Sequence, residues 1–329
     1  MSKVVIIATG GTISGYSGDR LDLKDYKSGN FTAEDFLAAI PEIRQFTEVE
    51  FEQVTNFSST NITPYHWGQL KEKIEHYLND RDYDGVVVTH GTNTLEETAY
   101  FLHLTVNTDK PVVLVGAQRP FTALGSDAAI NLLHAVRVAV HPSSHGKGVL
   151  VVLNDEINSA RDVSKTNTYR LETFQSNQLG FLGYVDPDGT VQYYRSPVRK
   201  HTAHSIFASL PLQDLPEVAI VYSYAGADGE IIRSITATNK YRGIVTAGTG
   251  AGKISAEEEA ALAEAAQKGI VIARSSRVGA GRVVDLACYR DYPFISGDNL
   301  LPQKARILLM LSLLVSDKRE EIQQLFDEY

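Results

Sequence analysis

The sequence predicts an α/β protein of two α/β domains: a larger N-terminal one with a parallel-type sheet and flanking helices, and a smaller C-terminal one. Two observations carry this. Short apolar runs rich in β-branched residues alternate with longer stretches of helical periodicity along most of the chain. A stretch at 195–216, with three prolines among mixed polar residues, separates two such series. At 329 residues the chain is long enough for a core in each domain. The boundaries read 1–194 for the first, catalytic domain, 195–216 for a linker with little regular structure, and 217–329 for the second domain.

In chain order, strands are predicted at residues 4–8, 85–89, 112–115 and 149–153, with helices at 33–39, 65–80, 95–106 and 127–140. The second series starts with strands at 218–222, 243–246 and 270–273. An Ala/Glu-rich helix at 256–268 reads as a solvated face with an alanine packing stripe, and an amphipathic helix from about Pro302 closes the chain.

The charge balance, 31 basic against 40 acidic residues for a net −9, and the lack of a dense basic run argue against nucleic acid or a membrane surface as partner. A single cysteine, Cys288, excludes an intrachain disulfide and suits the reducing cytoplasm; it is expected in a core or an interface. The first strand begins so near Met1 that no signal peptide is expected before it. Residues 307–315, the most apolar late run, are too few to span a bilayer. The nine histidines form no ligand cluster of metalloenzyme spacing, so no metal or organic cofactor is expected.

Chemistry is expected where strands end in glycine turns. The opening Val4-Val5-Ile6-Ile7-Ala8-Thr9-Gly10-Gly11-Thr12 runs a buried strand into two glycines and a hydroxyl, at the end of the sheet where open α/β folds bind ligands. Thr12 is the first candidate nucleophile. His90-Gly91-Thr92-Asn93 repeats the pattern, and Thr94 with Glu97 has capping-box spacing that starts a helix there. Thr92 and Asn93 then lie at a positive helix end that favours an anionic group. A threonine needs help to become nucleophilic; Lys165 is the candidate for Thr92, and Tyr26, in a polar segment from Ser17 to Gly29 suited to a lid, for Thr12.

The opening, together with His90-Gly91-Thr92-Asn93-Thr94-Leu95-Glu96-Glu97-Thr98-Ala99, Arg161-Asp162-Val163-Ser164-Lys165-Thr166, Arg199-Lys200-His201-Thr202, Arg274-Ser275-Ser276-Arg277 and Pro302-Gln303-Lys304-Ala305-Arg306, resembles the bacterial-type asparaginase/glutaminase family in order and over nearly the whole chain. The resemblance implies an amidohydrolase in which Thr12 attacks a side-chain amide to give an acyl-enzyme that water hydrolyses. Thr92 and Lys165 would assist, and Tyr26 would gate or activate the nucleophile. Gly11, Ser59, Thr60, Gly91 and Asn93 would bind the small-molecule amide, Ser59 through its α-carboxylate. It further implies a homotetramer whose sites are shared between subunits.

Departures from the family share a direction. Asn93 stands where the family has aspartate, Thr60 where it usually has glutamine, and Gly250-Ala251-Gly252 where the better-known asparaginases carry an asparagine. A family glutamate near 281–291 has no clear counterpart; Asp285 is the nearest carboxylate. These are groups expected to grip an α-ammonium, and exchanging a charged acceptor for an amide removes roughly 1.5–3 kcal/mol of hydrogen bonding. Two substrate readings follow: free asparagine or glutamine, held through the Asn93 carbonyl, or an amide whose α-nitrogen is absent or uncharged. A homologue impaired through Asn93, natural or introduced, that binds an amide without turnover is the alternative. A nucleotide enzyme is disfavoured, because Ile254 occupies the place of the hydroxyl that a phosphate loop needs after Lys253; Ser255 and Glu258 instead cap the following helix.

Overall fold

The computed structural model describes residues 2–329, and the chain divides into two units, the first ending at Ser209 and the second being Leu210–Tyr329. The first unit runs β1 (Lys3–Gly10), α1 (Ala33–Ala39), β2 (Glu48–Phe57), α2 (Pro64–Glu75), β3 (Gly85–Thr89), α3 (Leu95–Thr105), β4 (Val112–Val115), α4 (Ala128–Val140), β5 (Val149–Leu153), β6 (Glu156–Ser159), β7 (Ser164–Lys165), β8 (Phe174–Gln175), β9 (Gly183–Val185) and β10 (Val191–Tyr193). Eight of these strands form one sheet in the order β10-β9-β6-β5-β4-β3-β1-β2. The five from β2 to β5 are parallel, and β6, β9 and β10 continue the sheet antiparallel.

The central strands are apolar without interruption because both of their faces are covered. Val4, Val5, Ile6 and Ile7 of β1 have no exposed surface. On one face Val4, Ile6, Val87, Val113, Leu150 and Val152 pack under Leu132, Ala135, Val136 and Ala139 of α4. Helix α3 is buried along nearly its whole length and packs against β5 and α2. Register pairs Ala8 of β1 with Thr89 of β3, so these neighbouring strands end side by side. That alignment positions the site.

The second unit runs β11 (Val218–Tyr222), α5 (Glu230–Ala237), β12 (Gly243–Gly248), α6 (Ala256–Gln267), β13 (Val271–Ser276), β14 (Ile295–Ser296), α7 (Pro302–Ser312) and α8 (Arg319–Glu328), with its four strands in one parallel sheet. Ile232, Ile244, Leu262, Ala265 and Ile272 form its core. The Ser255–Glu258 capping box is made at both ends, so the glycine turn before it does start a helix. Among the described residues no helix is long and apolar enough to cross a membrane.

Several expectations are corrected. The helix expected at 65–80 leaves α geometry after Glu75, and a wider π turn over His76–Asp80 ends with Arg81 N–H on the His76 carbonyl. Helix α7 is not amphipathic, since Ala305 and Ile307 to Leu311 are all buried; the one-sided helix is α8, with Ile322, Leu325 and Phe326 inward. Cys288 is exposed in the single chain and not in the core, where the adjacent Tyr289 lies instead. Residues 195–216, expected to have little regular structure, carry the short 3-10 turns Thr202–His204 and Ile206–Ser209, with Phe207 fully buried.

Candidate active site

Two strand ends build the site. At the end of β1 the chain turns through Gly11 at φ +86° into a 3-10 turn over Thr12–Ser14. A Cβ on Gly11 would stand 2.2 Å from the Cα of Gly91, the glycine that follows β3, so only glycine lets the two turns touch. Gly91 is in turn pressed against Ser59, whose Oγ would lie 2.7 Å from a Cβ there. Gly11, Thr12, Ser59, Gly91 and Thr92 are therefore brought together and buried.

Each threonine has its own partner. Thr12 Oγ1 lies 2.7 Å from the Tyr26 hydroxyl. Tyr26 arrives on a segment pinned at its base by Tyr16 and Lys27, whose backbones exchange hydrogen bonds of 2.9 and 3.0 Å. Tyr16, Lys24, Tyr26 and Asn30 line a surface concavity beside it. Thr92 Oγ1 accepts a 2.9 Å hydrogen bond from Lys165 Nζ, which β7 delivers. Burial pushes the Lys165 amine below its ordinary pKa, and the charge of Glu96 opposes that shift.

His90 holds the second turn without carrying charge. Its Nδ1 lies 2.8 Å from the Gly91 carbonyl and must donate, which leaves Nε2 to accept from the Thr98 hydroxyl at 2.9 Å. Thr98 in turn accepts from the Trp67 indole N–H at 2.9 Å. Complete burial holds the imidazole pKa at about 4, so the ring is neutral, as this chain of bonds requires.

A model of the asparaginase N-terminal domain matches residues 3–199, and one of the glutaminase/asparaginase C-terminal domain matches residues 217–326. The chain belongs to the asparaginase family. It is 43% identical to L-asparaginase 2 of Bacillus subtilis over its full length and 87% of that protein. It is 39% identical to a glutaminase-asparaginase of Pseudomonas fluorescens, again over its full length and 91% of the relative. The crystal structure of a probable cytoplasmic L-asparaginase from Campylobacter jejuni superimposes with a TM-score of 0.96 at 40% identity, covering 100% of both chains.

Other residues named from the asparaginase resemblance sit differently. Asn93 and Thr60 are exposed, and the Thr60 hydroxyl donates to Ser58 Oγ at 3.0 Å. Ser59 Oγ accepts the Thr94 N–H at 3.3 Å, and the Thr94 hydroxyl donates to the Ser59 carbonyl at 2.7 Å. That second bond corrects the capping-box expectation: α3 does begin after Thr94, but the Thr94 side chain ties the turn to Ser59 instead of capping the helix. Asp285 lies in the second unit, in an exposed ion pair with Arg290 at 3.4 Å. Among the described residues no group of His, Cys, Asp or Glu side chains is arranged to hold a metal ion.

Sequence reading missed Glu96 and Gln118. Glu96 is buried in the first turn of α3, with Oε2 unpartnered. Gln118 follows β4 in Gly116-Ala117-Gln118, a third glycine turn at the same end of the sheet as those of Thr12 and Thr92. Its strand was legible, and the glycine after it was the signal that could have found it.

Proposed function

We propose that this chain hydrolyses the carboxamide of a small substrate that also bears a carboxylate, through an acyl-enzyme on Thr12. The observation that carries the reading is the Thr12–Tyr26 contact at 2.7 Å, on a turn pressed against the one that holds Thr92 and Lys165. Thr12 Oγ attacks the amide carbon while its proton leaves along the bond to Tyr26 and ends on the departing nitrogen. The carbon–nitrogen bond breaks, ammonia is released, and water cleaves the ester to return the hydroxyl and a free acid. The amino end of α3, beside Asn93 and Thr94, offers positive potential to the substrate carboxylate.

The names of the relatives, L-asparaginase and glutaminase-asparaginase, support asparagine or glutamine as substrates. Asn93 favours a second reading, because an exposed neutral amide is a weaker partner for an α-ammonium than a carboxylate. Amides whose α-nitrogen is absent or acylated then become the better substrates. Ammonia release from asparagine, glutamine, succinamate, glutaramate and N-acetylated asparagine, with Thr12→Ala as blank, tests both. Preference for the free amino acids removes the second reading, and silence across the panel favours a binding protein without turnover. The resemblance also supports a homotetramer with shared sites, to be read by sedimentation, and the Campylobacter neighbour supports a cytoplasmic location.

A further inference from the structure

The hydrogen bonds around Thr92 have a direction that the side-chain chemistry settles. Gln118 Nε2 lies 3.1 Å from the Arg170 carbonyl, which can only accept, so the amide nitrogen must face Arg170. Its oxygen then faces Thr92, at 3.2 Å from Oγ1. That oxygen can only accept, so the Thr92 proton must point at Gln118. The lone pairs of Thr92 are left for Lys165, which donates at 2.9 Å. Hydrogen bonds are thus donated one way, Lys165 to Thr92, Thr92 to Gln118 and Gln118 to the Arg170 carbonyl.

Gln118 and its acceptor Arg170 are both anchored. Asp127 accepts the backbone N–H groups of Gln118 and Arg119 at 3.0 Å each, and Asn131 braces the same carboxylate at 3.0 Å. Arg170 is fixed by its N–H on Asn167 Oδ1 at 3.0 Å. We propose that Gln118 is a positioning residue that fixes this direction of donation, keeping Thr92 protonated and turned away from Lys165 so that Thr12 remains the only nucleophile. Lys165 consequently acts on Thr92 as a donor and not as a base. The significance for turnover rests on the amidohydrolase reading above; the proton direction does not.

Glu96 on α3 is the charged group acting on the Lys165 amine. Opposite β7, β8 places Phe174 and Gln175, neither charged. On Lys165's own segment Arg161 pairs with Asp162 at 3.1 Å and Arg170 with Glu172 at 3.5 Å. The test therefore follows Lys165 itself, by its ε-carbon NMR resonance against pH, assigned by its loss in Lys165→Met. In Gln118→Met, the Thr92 hydroxyl is released to donate to the neutral amine, and the Lys165 midpoint should fall by up to about one pH unit. In a Thr92→Val background the same change should shift nothing, because Gln118 acts through that hydroxyl. Gln118→Leu serves if Gln118→Met does not fold. An unmoved midpoint in Gln118→Met, or an equal shift with and without the Thr92 hydroxyl, overturns the proposal. With the preferred amide, kcat should fall about tenfold while KM stays within about twofold. Absence of turnover would count against the amidohydrolase reading alone, since the titration needs none.

Discussion

Half-buried Lys165 and fully buried His90 are titratable groups held in different ways. Burial lowers the Lys165 pKa and Glu96 raises it, so Glu96→Gln removes only the raising influence. With Lys165 working as a charged donor, activity is lost as pH rises through its pKa. The alkaline fall of kcat/KM should therefore come at lower pH in Glu96→Gln. A limb that stays where it was would show that the Glu96 charge does not act on the amine. His90 bears on stability instead. Its folded pKa of about 4 lies below the unfolded value near 6.5, so the unfolded chain binds the extra proton between them. The resulting stability is fully present above pH 6.5 and is lost as pH falls toward 4, by up to about 3 kcal/mol. Denaturant midpoints from pH 7 to 4 should show that slope, and His90→Gln should flatten it.

At the level of elements, β1, β3, β4 and β5 were legible because interior parallel strands are apolar throughout, and the glycines that end them marked two of the turns that form the site. Strand β2 was not read, because its Glu48, Glu50 and Glu52 look solvated. It lies at the sheet edge, where the Arg81 guanidinium and the Tyr83 hydroxyl bring the Glu50 carboxyl down to about 2. The alternation of Val49 and Phe51 with those glutamates was the available signal. Within the site, the sequence paired Lys165 with Thr92 and Tyr26 with Thr12, as the structure places them, but it did not indicate Gln118, which reaches Thr92 only in three dimensions. The contact between the turns is the vulnerable point. Gly11→Ala must place its Cβ 2.2 Å from the Gly91 Cα and also accept a φ of +86°. The backbone conformation alone should cost about 1–3 kcal/mol in a denaturant titration. Activity should fall further than stability, because relief of the clash parts the turns of Thr12 and Thr92.

For the molecule as a whole, two α/β units and no basic tract were foreseeable from patterning and composition, whereas the antiparallel continuation of the first sheet through β6, β9 and β10 left only short segments to read. The net charge of −9 opposes the approach of an amide that bears a carboxylate and no α-ammonium, such as succinamate. Salt screens that repulsion, so kcat/KM should rise modestly between about 10 and 150 mM sodium chloride. A fall over the same range would mean that a local positive field outweighs the net charge. The contrast between buried Thr12, Thr92, Ser59 and Gly91 and exposed Asn93 and Thr60 has one more consequence. On the proposed reading, the reactive residues are locked by backbone contact, while those proposed to select the substrate face solvent, where a side chain can change without repacking the core. A library varied at 60 and 93 should therefore be one in which the scaffold is bred toward different amides while it folds as before.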